Sequence, residues 1–369
     1  MCCLSLVSFS GEIPLAIFID LSKAFDCLNH NVLLKKLQHY GFSNLALNLL
    51  SNRQQFVKSS EYTSNLQNIT TGVPQGSILG PLLFLIYMND FAYASKHFAM
   101  INFADDTALL STLQSNATLS SNETNSELSK ISNWLRANKL LMNVNKTKAM
   151  VFHSAKKKVQ NPIIELNRTK IEIVNHFTYL GIVLDRHLSW NEHIKAIASK
   201  ISKTTGVLNR LKNFLPKCTL KLIYDSLINC RIKYGILLWG ACPGIKRILL
   251  LQKRAVRAIA KAKYNAHCNP IFKSIEILKI EDERKLQELI VYYKYKHNIL
   301  PHYFQNNFIT NISSNSQRQT RNSSYILYPR FRHEFVRKQL RYSLAKTVNE
   351  TPQYCLEKIH THSLKGYAR

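Results

Sequence analysis

The sequence predicts an α+β fold, a sheet-bearing first part followed by a helical remainder. Short apolar runs rich in strand formers, Pro14 to Ile19 and Phe98 to Leu110, fall in the first third. After Asp185 the apolar residues recur at helical spacing almost to the end, as at Ile194, Ile197, Ala198 and Ile201. Charge divides the chain in the same sense: residues 1–110 hold 6 basic and 7 acidic side chains, and the rest holds 44 and 15.

The elements follow in order. PLAIFI (Pro14 to Ile19) follows a turn at Gly11 and reads as a buried strand that stops at Asp20. Between Asn29 and Leu50, Val32, Leu33, Leu37 and Tyr40, then Leu45, Leu49 and Leu50, predict two helices broken at Gly41; Asp26 is expected to cap the first. Gln54 to Thr71 alternates weakly, as in a hairpin, and leads into the turn Gly72-Val73-Pro74-Gln75-Gly76. Ile78 to Met88 is apolar and of helix length, with Pro81 in its first turns, where a missing N–H is tolerated. Phe98 to Phe103 and Thr107 to Leu110 read as strands joined by an acidic turn. Residues 111–126 read as a polar loop, followed by a helix with Leu128, Ile131, Trp134, Leu135, Leu140 and Leu141 on its apolar face. Strands are expected at Ala149 to His153, Ile171 to Val174 and Tyr179 to Leu184. Residues 305–324, rich in Asn, Ser and Gln, read as a linker before a basic C-terminal segment.

Composition narrows the function. With 369 residues, 46% apolar and 20% charged, the chain can fill two or three cores, which excludes collagen-like and wholly disordered classes. A net charge of +28 calls for a polyanion, and nucleic acid is favoured over an anionic membrane face. No apolar stretch approaches the ~20 residues of a membrane span, and the first ten residues lack the basic start of a signal peptide. None of the eight cysteines has C-x-x-C spacing, and Cys268 beside His267 lacks further ligands nearby, so reduced thiols in an intracellular protein are expected. Nucleus and cytoplasm are both compatible with this, and sequons such as Asn68 to Thr70 then carry no meaning.

Asp20 closes one apolar segment and Asp105 with Asp106 interrupts another. If those segments are neighbouring strands, three carboxylates meet, an arrangement costly without cations. Divalent ions clamping the attacking and leaving oxygens would resolve that cost, which points to nucleotidyl transfer or nuclease cleavage.

FIDLSKAFD (Phe18 to Asp26), GVPQGSILGPLLF (Gly72 to Phe84) and FADD (Phe103 to Asp106) resemble motifs A, B and C of reverse transcriptases from non-LTR retrotransposons, especially the jockey-like group. In the same order, NVNKTK (Asn143 to Lys148) resembles motif D, FTYLG (Phe177 to Gly181) motif E, and LLLQKRAVRAI (Leu249 to Ile259) a segment beyond the thumb. Asn349 to Pro352 is similar to a C-terminal N-x-L-P element, with Thr351 in place of Leu. The resemblance implies a right-hand polymerase palm, an antiparallel sheet with helices, followed by a helical thumb-like region. It divides the chain into a palm with partial fingers at 1–153, primer-grip strands at 154–184, a basic thumb-like region at 185–304, and a linker with a basic C-terminal segment at 305–369.

It further implies that Asp20, Asp105 and Asp106 bind two Mg²⁺ ions, that Phe25 is the aromatic gate against a 2′-hydroxyl, and that Leu21, Gln75 and Gly76 contact the incoming nucleotide. Lys146 or Lys148 would meet the pyrophosphate, and Tyr179, Leu180 and Gly181 would form the primer grip. Lys253, Arg254 and Arg257, on a helix whose other face is apolar, suit phosphate backbones. The implied partners are an RNA template, a DNA primer and dNTPs, with no membrane. The family places most of its fingers upstream of motif A, whereas only nineteen residues precede Asp20, so a chain lacking them, weakened in activity, is expected. The rival readings are a catalytically inactive, nucleic-acid-binding remnant and a metal-dependent nuclease; the latter would need neither Gln75-Gly76 nor Phe25.

Overall fold

The computed structural model describes residues 13–44, 47–48, 51, 53–74, 76–113, 117–157, 159–301 and 340–352, with positions 304, 326, 328 and 356. The expected turn at Gly11 and the linker at 305–324 lie outside them. The chain forms two compact units, Met1–Leu188 and Ser189–Arg369.

The first unit is built on a five-stranded sheet in the order β11-β8-β1-β7-β6: β1 (Ile13–Ile19), β6 (Ala99–Phe103), β7 (Asp106–Leu113), β8 (Lys148–Val151) and β11 (Glu172–Ile173). All pairings are antiparallel except β11 with β8, which is parallel. β1 is central and buried from Pro14 to Ile19, which is why its sequence is continuously apolar instead of alternating. Leu15, Ile17 and Ile19 enter a core completed by helices α1 (His30–His39), α2 (Leu79–Met88) and α3 (Ala117–Ala137), through Leu33, Leu37, Phe84, Tyr87, Leu128, Ile131 and Leu135. Ala16 and Phe18 face the opposite side.

Local chemistry sets the helix ends. Asn29, not Asp26, caps α1, its Oδ1 accepting from the Val32 amide at 3.2 Å. Gly41 at φ +82 closes α1, with its amide on the Gln38 carbonyl and that of Phe42 on Leu37. Pro81 is the third residue of α2, as expected. Lys36 of α1 ties three helices together: its Nζ donates to the Tyr87 carbonyl at 2.6 Å and to Asp90 at 2.5 Å, and lies 4.9 Å from the Trp134 ring centroid. Burial pulls the Lys36 pKa below the ordinary lysine value, with Asp90 opposing it.

Three expectations are corrected here. Of the expected polar loop at 111–126, residues 111–113 end β7 and 117–126 begin α3, with 114–116 outside the described residues. The small side chains of Ser121 and Thr124 are buried and extend the Leu128, Ile131, Leu135 stripe at the same spacing. Lys139, at φ +57, follows the end of α3, so Leu140 reaches the core from a loop and Leu141 is exposed. Tyr179 to Leu184 is a hairpin rather than one strand, with β12 (His176–Tyr179) and β13 (Ile182–Asp185) joined by Leu180 at φ +48 and Gly181 at φ +75. The hairpin expected between Gln54 and Thr71 forms as two nested ladders, β2 (Gln54–Gln55) with β5 (Gln67–Asn68) and β3 (Lys58–Ser59) with β4 (Tyr62–Thr63). A further small hairpin pairs β9 (Glu165–Leu166) with β10 (Thr169–Lys170).

The second unit is helical: α4 (Asn191–Leu211), α5 (Lys217–Tyr224), a π-helical turn at Asp225–Asn229, α6 (Cys230–Lys233), α7 (Ile236–Trp239), α8 (Ile245–Ile259), α9 (Cys268–Ser274), α10 (Ile280–Lys296) and α11 (Leu340–Glu350). Its core joins Ile194, Ile201 and Leu208 to Trp239, Ile248, Val256 and Ile259. Gln252 is buried with every polar atom used: Nε2 donates to the Tyr224 hydroxyl (2.8 Å) and the Leu278 carbonyl (2.9 Å), and Oε1 accepts from the Ile280 amide (3.0 Å). α11 belongs to this unit. The buried Glu288 carboxylate accepts from Arg284 at 2.7 Å and from the Thr347 hydroxyl at 2.5 Å. Asn349 clasps the Ile326 backbone, amide and carbonyl, at 2.9 Å each.

Candidate active site

The register Ile19↔Thr107 between β1 and β7 places Asp20 opposite Asp106, and Phe103↔Asp106 closes a tight turn through Ala104, at φ +52, that carries Asp105. By alternation Asp20 continues the Ala16, Phe18 side of β1, and Asp106 the Ala108, Leu110 side of β7. In an antiparallel register these are the same side of the sheet. Burial first, then Asp105 and Asp20, push the Asp106 carboxyl above the ordinary aspartate value. Two carboxylates, Asp105 in the turn and Asp20 at the end of β1, thus act on the third.

Residues 141–147 form a strap along the end of β1. Ser22 donates to the Leu141 carbonyl and Asn143 to that of Asp20, at 2.9 and 2.8 Å. The Thr147 hydroxyl, fully buried, donates to the Asn143 carbonyl at 2.9 Å and faces the Asp20 amide at 3.4 Å. The strap brings Lys146 Nζ to 4.0 Å from Asp20 Oδ2, with the lysine 70% exposed and free to swing. Lys148, on β8, is held elsewhere, at 2.7 Å from Glu172 and 2.9 Å from the Asn145 carbonyl. Of the two lysines the sequence offered, Lys146 sits against Asp20 and Lys148 against Glu172.

The motif E hairpin packs on the acid-bearing side. Phe177 stacks on Phe18 with centroids 4.4 Å apart, and Tyr179 lies at 5.3 Å from the same ring. The Tyr179 hydroxyl donates to the Ile101 carbonyl at 3.4 Å, and burial, then Asp106, raise its pKa. Leu180 and Gly181 are the turn itself.

Phe25 stacks on Phe84 of α2 at 4.7 Å. Its carbonyl accepts from the Val73 amide at 3.0 Å, and Gly72 donates to Leu28 at 2.7 Å, so the motif B segment is laced to the chain after Asp20. Gly72 needs to be glycine: its φ is +83, and a Cβ would lie 3.1 Å from the Asp26 carbonyl oxygen. Gly76, at φ +80, is exposed in open space, and Gln75 lies outside the described residues. The Leu21 side chain is in the core, 8% exposed, so it offers no side-chain contact to a nucleotide. On α8, Arg254 is exposed, Lys253 is half-buried, and Arg257 is half-buried with its Nε on the Ala266 carbonyl at 2.9 Å.

Among the described residues no group of three His, Cys, Asp or Glu side chains converges closely enough to hold a metal ion alone. The donor set nevertheless fits magnesium, which takes one or two carboxylates and fills its octahedron with water and substrate phosphate. Burial first, then repulsion from Asp105 and Asp20, displaces Asp106 upward, and the repulsion is what such a cation relieves. The sequence reasoning missed Asn143, Thr147 and Phe18 as supports of this site. Their signal was present, polar residues inside a motif and an aromatic two positions before an acid, but only pairing across the fold shows what they hold.

The sheet thus carries its acids at the ends of two inner strands, β1 and β7, with a hairpin packed beside them. Residues 10–184, just under half of the chain, match the family described as reverse transcriptase (RNA-dependent DNA polymerase). It is similar to the RNA-directed DNA polymerase from mobile element jockey of Drosophila melanogaster, 27% identical over 327 residues covering 84% of this chain and 35% of that one. The probable RNA-directed DNA polymerase from transposon BS of the same organism is 29% identical, over 73% of this chain and 31% of its own. The chain thus spans about a third of the length of these curated relatives. A solved telomerase from Candida Tropicalis is similar over 74% of this chain and 51% of that one, at 13% identity and a TM-score of 0.37. No described helix is long and apolar enough to cross a membrane.

Proposed function

We propose that the chain is an RNA-directed DNA polymerase of a non-LTR retroelement, adding deoxynucleotides to a primer 3′-hydroxyl on an RNA template. The observation that carries this reading is the acid edge: Asp20 and Asp106 on one side of two paired strands, with Asp105 in the adjoining turn and the Tyr179 hairpin against the same side. Asp20, Asp105 and Asp106 would hold two Mg²⁺ ions, which when bound activate the primer hydroxyl and stabilise the leaving pyrophosphate.

The chain's own groups do the rest. Phe25, braced by Phe84, presents an aromatic wall where a ribose 2′-hydroxyl would stand. The turn with Gln75 and Gly76 allows close backbone approach to the nucleotide. Lys146 is placed to leave Asp20 and meet the pyrophosphate as negative charge develops there. Lys148 has the weaker case, since Glu172 already holds it. Tyr179, Leu180 and Gly181 form a stiff turn suited to gripping the primer end. Lys253 and Arg254 supply phosphate contacts on α8, while Arg257 braces the chain after that helix.

The test is primer extension on an RNA template with dNTPs and Mg²⁺, comparing the chain with Asp105→Asn. Extension that vanishes in the variant supports a working polymerase. Salt-dependent RNA binding by both proteins, with extension by neither, favours the inactive binding remnant.

A further inference from the structure

We propose that His30 is a positioning residue that fixes the motif B turn relative to the Phe25 gate and so sets how tightly the nucleotide pocket closes. This rests on the polymerase reading above and concerns a residue outside the acid edge. His30 Nε2 lies 2.6 Å from the carbonyl oxygen of Gly72. A carbonyl only accepts, so the imidazole donates and its proton sits on Nε2.

The bond belongs to a zipper between two segments. The His30 amide donates to Thr70 at 3.0 Å, Gly72 donates to Leu28 at 2.7 Å, and Val73 donates to Phe25 at 3.0 Å. Asn29 and Thr71 form the bridge between them. Among these contacts the imidazole is the side-chain member, and it grips the Gly72 carbonyl, two residues before Pro74. A side chain at Gly72 would bring its Cβ to 3.1 Å from the Asp26 carbonyl oxygen, so the two segments approach closely here. The turn beyond stands in open space at Gly76. Its far end is fixed at Ser77, whose hydroxyl donates to Pro74 at 2.7 Å and accepts from Gly80 at 3.0 Å.

Among the described residues of this turn the hydrogen bonds lie at its two ends, so slack at one end passes to the rest. Losing the His30 bond leaves the Gly72 carbonyl without its imidazole donor beside the backbone that carries Phe25. The slack then falls between the sugar gate and the nucleotide-contacting turn, where it loosens selection of the sugar.

The experiment compares the full chain with His30→Leu, which keeps bulk and removes the donor, and with His30→Gln, which keeps a donor of similar reach. Amide hydrogen exchange at residues 71–77 should quicken about two- to tenfold in the Leu variant, as expected for one hydrogen bond, and return toward wild type in the Gln variant. With primer and RNA template bound, affinity for dTTP in Mg²⁺ should fall by about the same factor, and the preference for dTTP over UTP should narrow, while primer–template affinity stays unchanged. Unchanged exchange in the Leu variant, or a Gln variant as defective as Leu, would overturn the proposal. A wild-type chain that binds primer–template but no dTTP would sink the polymerase reading, and faster exchange in the Leu variant would then mark His30 as a tie of the fold alone, overturning its pocket role.

Discussion

The amide of Asn143 donates to the carbonyl of Asp20 at 2.8 Å, so the strap after α3 holds the backbone of the first acid from the side opposite β7. Thr147 seals this contact from a fully buried position. Thr147→Val keeps the shape, removes the hydroxyl, and should cost about 1–2 kcal/mol, read as a lower urea midpoint with unchanged slope. Extension should fall with it, because Asp20 loses its brace.

Asp106 carries the pH prediction. Its folded carboxyl titrates above the ordinary aspartate value because of burial, Asp105 and Asp20. The folded state therefore binds this proton more tightly than the unfolded one, so its stability contribution is present at low pH and is lost as pH rises through the ordinary value toward the folded one. Asp106→Asn should raise the neutral-pH Tm, discounted for solvent screening to the order of 1 °C, and abolish extension. The Tm gain should vanish in acid. Mg²⁺ should stabilise the wild type more than the variant, and EDTA should remove the difference.

The two aromatic rings on Phe18 separate stacking from hydroxyl chemistry. Phe18 is buried under Phe177, and Phe18→Ala should cost about 3–5 kcal/mol. Tyr179→Phe keeps the ring and loses only a 3.4 Å hydrogen bond, so its Tm should stay near wild type. If Tyr179→Ala folds yet binds a primer end as well as wild type, the grip assignment is wrong.

Gln252 is the polar centre of the second unit. Gln252→Leu strands the Ile280 amide and the Leu278 carbonyl and should cost about 2–4 kcal/mol in guanidinium unfolding.

The α8 cations divide by exposure. Arg254→Ala should weaken RNA binding uniformly across sequences and reduce the salt slope by about 1, with Tm unchanged. Arg257→Ala should lower Tm, because its Nε holds the Ala266 carbonyl at 2.9 Å.

The pattern of residues foretold most of this architecture. β1 was legible because a strand buried on both faces is continuously apolar, and the acids because they end or interrupt such runs. The start of α3 was not, since Ser121 and Thr124 bury small polar side chains that hydropathy scores as loop. The Leu180-Gly181 turn was hidden inside an apolar run, because Leu180 takes a left-handed φ that its residue type disfavours. Lys146 and Lys148 were indistinguishable until Glu172, twenty-four positions from Lys148, was brought beside one of them.

The Thr347 hydroxyl on Glu288 joins residues 59 positions apart. During synthesis the acid emerges long before Thr347, so until then α10 holds its carboxylate through Arg284 alone of the two partners. A nascent chain halted before Leu340 would present that acid and the apolar surface around it to chaperones and proteases. Closure of this part of the helical unit thus waits on α11.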